Sequence, residues 1–72
     1  MADERFIQVD GKVLRHLRRE RALSQQDLTR ITGVAQATLS DLEGGKRAAR
    51  ASTLRQLAEA LGVEPRELMK EE

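Results

Sequence analysis

Between Gln36 and Arg50 the sequence QATLSDLEGGKRAAR gathers most of the side chains whose chemistry can be turned toward a partner. Leu39 and Leu42 keep the three-residue spacing of a buried helical edge, which leaves Gln36, Ala37, Ser40 and Asp41 on the other face. An amide can bond adenine through both of its groups, a carboxylate can accept from a cytosine amino group, and a methyl can pack on thymine. Gln36 is therefore the first candidate for reading a base edge, with Ala37, Ser40 and Asp41 beside it. Asp41 has a second reading as an ion-pair partner of Lys46 or Arg47, and Ala37 as a spacer. Lys46, Arg47 and Arg50 follow Gly44-Gly45, where a backbone can come close to a neighbour, and they are read as phosphate contacts.

No other constellation competes with this one. The 72 residues hold no cysteine and a single histidine, His16, so disulfides, zinc-cysteine fingers and polyhistidine metal sites are excluded. There is no Ser-His-Asp or Cys-His set, and Gly44-Gly45-Lys46 lacks the spacing of a P-loop. The expectation is a protein that is not an enzyme, with no cofactor and no metal.

The elements that must position these groups are helical. Asp10 can cap a first helix over 11–21, with Val13, Leu14 and Leu17 inward and Arg15 and Arg19 on a solvated face. Ser24 caps a second helix over 25–32, with Asp27 as capping-box partner, and Gly33 ends it in a left-handed turn. The third helix spans 36–43, and a flexible basic loop covers 44–51. Ser52 is expected to cap a fourth helix carrying Leu54, Leu57, Ala58 and Leu61, ended by Gly62. Pro65 opens a short fifth helix, with Leu68 and Met69 turned inward. Strand propensity is confined to Phe6–Val9. The expected architecture is all-α, a compact five-helix bundle over 11–70 with a helix-turn-helix at 25–43 and an extended segment at 1–10.

Charge supports the placing of the face. Residues 11–58 carry ten Lys or Arg against four acids, or +6, while the two ends carry three against eight, or −5. Such segregation suits a basic nucleic-acid face and an acidic rear, although 35% charged residues also serve solubility alone. The sequence has no long apolar stretch, so a cytoplasmic protein without a membrane span or signal peptide is expected.

With those residues placed, LRHLRRERALSQQDL, GVAQATLSDLEGGKR and STLRQLAEALGV together resemble the lambda-repressor-like (Xre/Cro) DNA-binding domains over residues 11–69. The resemblance implies a five-helix bundle with helix 36–43 as recognition helix, and Gln36, Ala37, Ser40 and Asp41 at base edges. It implies phosphate contacts at the start of helix two (Ser24, Gln25) and beyond helix three (Lys46, Arg47, Arg50). It also implies a structural, partly buried pair between Arg18 and Glu43. Three residues depart from the family's habit: Ala22 where glycine closes helix one, Thr29 in place of alanine, and Ala35 in place of a Ser or Thr cap.

Double-stranded DNA is the partner implied, bound by a homodimer on a two-fold operator as a transcription regulator, most simply a repressor. Two alternatives stand beside it: an antitoxin or restriction-modification controller, and a protein-interaction module that keeps the fold without DNA. The dimer surface has two candidates, helix five around Leu68 and Met69 with parts of helix four, or Phe6–Val9 pairing as a strand across the two-fold. Phe6 and Ile7 have a local alternative, folding back to cover their own core.

Overall fold

The computed structural model describes residues 5–71. In chain order they form β1 (Phe6–Ile7), α1 (Gly11–Glu20), α2 (Gln25–Thr32), α3 (Gln36–Glu43), β2 (Ala49–Arg50), α4 (Ala51–Leu61) and a 3-10 turn at Pro65–Leu68. Eight leucines, 14, 28, 39, 42, 54, 57, 61 and 68, fill the centre almost without exposure and take one to three from every helix. Each contributes about 1.5–3 kcal/mol by burial, which is how so short a chain holds a core. The four helices sit at their expected places. Asp10 caps α1 by accepting from the Val13 N–H at 3.3 Å.

Three expectations are corrected. The fifth helix is a single 3-10 turn: after Leu68 the backbone swings out to φ −82°, ψ 140° at Met69, which bridges Val9. The fold is therefore four helices, a 3-10 turn and a small antiparallel sheet. Leu68 is fully buried, while Met69 keeps 40% of its surface in solvent.

Ser52 does not cap α4. The helix begins two residues earlier, with Arg50 as an N-cap that makes no side-chain cap bond. The chain enters α4 directly from β2, and the Ala51 N–H is satisfied by the Arg5 carbonyl at 2.9 Å. The same pairing removes the flexible loop: Ala49 is buried and pairs with Ile7, Arg50 pairs with Phe6, and the Lys46 N–H donates to the Asp41 carbonyl at 2.8 Å.

The N-terminal segment is thus a seam. Its first half pairs with residues 49–51, and its second half with 68–70 through Asp10 N–H to Leu68 O (2.8 Å) and Lys70 N–H to Gln8 O (3.0 Å). Val9 is buried and Ile7 packs against the core, but Phe6 points outward at 66% exposure. The local cover is made by Ile7 and Val9 without Phe6. Residues 1–4 of the expected extended segment lie outside the described residues.

Gly11 fixes how closely α1 meets the end of α3. A Cβ there would collide with the Glu43 carbonyl oxygen and stand 2.5 Å from that of Leu42. Ala22 takes the left-handed conformation at φ 55°, the only non-glycine to do so among the described residues. An L-residue there costs roughly 1–2 kcal/mol.

Candidate nucleic-acid interface

The surface in question is built on α2, α3 and the turn between them. α2 opens on a complete capping box: the Ser24 hydroxyl accepts from the Asp27 N–H, and the Asp27 carboxylate accepts from the Ser24 N–H, both at 2.9 Å. Hydrogen bonds from the Ser24 N–H and the Ser24 side chain, aided by Arg30, hold the Asp27 carboxyl below the usual range. α2 ends on Gly33 at φ 80°. Thr32 locks the turn in a way the sequence reading missed. Its hydroxyl donates to the Leu28 carbonyl at 2.7 Å and accepts from the Val34 N–H at 3.1 Å. A hydroxyl residue directly before the turn glycine was the available signal.

α3 then starts from Ala35 with no side-chain cap. Leu39 and Leu42 anchor its inner edge, and Gln36, Ala37 and Ser40 stand exposed on the outer one. Asp41 is half-buried, its Oδ2 3.7 Å from Arg47 Nη1, so the ion-pair alternative is occupied in the free protein. Both side chains are about half exposed (51% and 43%), so the pair is worth about 0–1 kcal/mol and is easily exchanged for another partner.

The expected phosphate contacts fall on both flanks of α3. Gln25, Ser40 and Lys46 share one shallow hollow. Arg47 and Arg50 line another, with Thr38 and the turn residues 32–35. The Ser24 oxygen is engaged in the cap of α2. Gln25 sits closer to protein than expected, one amide N–H donating to Glu43 Oε1 at 3.2 Å.

Behind this face lies the Arg18–Glu43 pair. Nε donates to Oε2 at 2.7 Å and Nη2 to Oε1 at 2.9 Å, while Nη1 donates to the Leu23 carbonyl at 2.8 Å. Both side chains are below a tenth exposed. Burial pushes the Glu43 carboxyl up, but bonds from Arg18 and Gln25, with the charges of Arg18 and Arg15, bring it below its ordinary value. The Arg18 guanidinium is raised by the same bond. Because Arg18 lies on α1 and Glu43 ends α3, the fork fixes the angle at which α3 leaves the body.

A fold of this build, with an exposed polar helix edge between cations, is matched by a family model described as HTH_3, helix-turn-helix, over residues 14–68. The chain belongs to this helix-turn-helix family. A relative described as the uncharacterized HTH-type transcriptional regulator y4dJ of Sinorhizobium fredii is 42% identical over 59 residues, 82% of this chain and 77% of its own. Among solved structures, the restriction-modification controller C.AhdI of Aeromonas hydrophila superposes with TM-score 0.77 at 37% identity, covering 82% of this chain and 89% of its own. The P22 c2 repressor, solved with a synthetic operator, gives TM-score 0.81 at 27% identity over 88% of this chain and 96% of its own. The chain is accordingly an HTH-type transcriptional regulator and not an enzyme. Among its described residues, no helix is long and apolar enough to cross a membrane.

Proposed function

We propose that the protein is a repressor that binds a two-fold DNA operator as a homodimer, with α3 in the major groove. The observation that carries this reading is the outer edge of α3: an exposed amide and hydroxyl, without partners among the described residues, stand between basic groups on either flank. Gln36, Ala37, Ser40 and Asp41 meet base edges, Asp41 after parting from Arg47. Ser24, Gln25, Lys46, Arg47 and Arg50 take phosphates, the first two at the positive end of α2. The operator-bound P22 c2 repressor supports the docking mode by likeness.

One recognition helix reads few base pairs, so two copies about 34 Å apart supply operator affinity. The surface first expected for the dimer is reduced, since Leu68 is turned into its own core, and β1 is already paired within its own chain. The exposed apolar side chains left for a partner copy are Phe6, Ile31 and Met69.

A second reading, a controller of the kind C.AhdI is described as, is favoured by the 37% identity to that protein and uses the same DNA chemistry. Selection of bound duplexes from a random pool, with sedimentation of free and bound protein, tests the proposal. A palindromic consensus bound by two chains is expected. A monomer in both conditions removes the dimer, and a pool that yields no enrichment removes sequence-specific binding.

A further inference from the structure

On the α1 side of α3 lies a hollow lined by Arg15, Arg18, Gln25, Ser40, Glu43 and Lys46. Three cations therefore face one carboxylate, and that carboxylate is already engaged by the Arg18 fork and the Gln25 amide. The charge left over belongs to Arg15 and Lys46, both exposed and neither in a salt bridge among the described residues. Arg15 lies close enough for its charge to help hold the Glu43 carboxyl down. Its place on helix one reads from sequence as a solvated face. The close approach of α1 to the end of α3, which Gly11 permits, brings it to the DNA side instead.

We propose that this hollow seats one phosphate group, with Arg15 as a phosphate-binding residue opposite Lys46. Gln25 is the neutral donor: a primary amide carries two N–H groups, and only one is spent on Glu43. A guanidinium presents a planar fork that matches two oxygens of a phosphodiester, and Lys46 adds a point charge from the other wall. Glu43 does not repel the anion, because Arg18 neutralises it within the protein. The seat would fix the register of α3 along the groove and carry no base preference of its own.

The assignment rests on the DNA reading above, and its test separates the two. Affinity for random duplex DNA is measured across salt concentrations for wild type, Arg15→Gln, Lys46→Gln and, as a control on the 3-10 turn, Arg66→Gln. Each lost phosphate contact lowers the slope of log K against log salt by about 0.9. The proposal expects that drop for Arg15→Gln and for Lys46→Gln, with Arg66→Gln unchanged and melting temperatures equal. A drop for Lys46→Gln alone overturns the role of Arg15 and leaves DNA binding standing. Wild type that binds no duplex overturns both. Titration with inorganic phosphate, followed by NMR at the Arg15 and Gln25 side chains, distinguishes the source. Saturable binding of free phosphate that Arg15→Gln abolishes, with the DNA slope unaffected, would assign the seat to a free anion and overturn the DNA contact.

Discussion

Thr29 carries the clearest defect at the scale of single residues. Its hydroxyl is buried and has no hydrogen-bond partner among the described residues. Leaving such a group unmade costs about 1–3 kcal/mol, and an isosteric methyl removes the cost without opening a cavity. Thr29→Val should stabilise the protein by about 1 kcal/mol in denaturant titrations, and an unchanged midpoint would mean the hydroxyl finds water. The Arg18–Glu43 pair makes the opposite case. Glu43 titrates below its ordinary 4.5 when folded, so the unfolded chain binds the proton more readily. Stability from this group is present above that value and is lost as pH falls through the folded pKa. Midpoints measured from pH 6 downward should therefore decline in acid. The double variant Arg18→Met with Glu43→Leu should keep only the share due to Asp27, whose carboxyl is also depressed. Equal acid sensitivity in both proteins would contradict this.

Element ends and element contacts decide how α3 is held. Ala35 leaves its N-terminus without a side-chain cap in an extended conformation that serine adopts readily. Ala35→Ser should add about 1 kcal/mol, read as a rise in melting temperature. Gly11 acts at the other end. Alanine is the better helix former by about 1 kcal/mol, but its Cβ would run into the carbonyls closing α3. Backbone cannot yield as a flexible side chain can, so Gly11→Ala should destabilise by about 1–3 kcal/mol in the same assay. A neutral Gly11→Ala would mean that α1 and α3 are less tightly apposed. These contacts also mark the limit of what the sequence reveals. Leucine spacing and the Ser24 and Gly33 punctuation placed α1, α2 and α3 within a residue and the start of α4 within two, because helical period and caps are local. Two-residue strands have no period, and Ala49-Arg50 has little strand propensity. Their pairing arises from backbone groups seeking partners when the N-terminal segment is laid down. The 3-10 turn was misread as a helix because Pro65 and the inward Leu68 suit either.

Across the whole molecule, the side chains of α3 were legible as an outward edge, but their neighbours were not. Which face of α1 turns toward α3 depends on an interhelical angle, so Arg15 could not be placed from its own helix. Likewise nothing local announced that Gln25 would reach Glu43, whereas the nearness of Lys46 and Arg47 in sequence already offered Asp41 the ion pair it makes with Arg47. The folded protein measures 34 × 27 × 22 Å. The proposed dimer requires two such copies to place their α3 helices about 34 Å apart, one turn of DNA. The central claim is that α3 reads base edges while its flanks hold the backbone, and one comparison separates those parts. Binding of wild type and Gln36→Ala is measured on the duplex selected from a random pool and on an unrelated duplex at the same salt. The account predicts a loss of about 1–3 kcal/mol on the selected duplex and none on the unrelated one. Equal affinities of the two proteins on the selected duplex, or an equal loss on both duplexes, would contradict it.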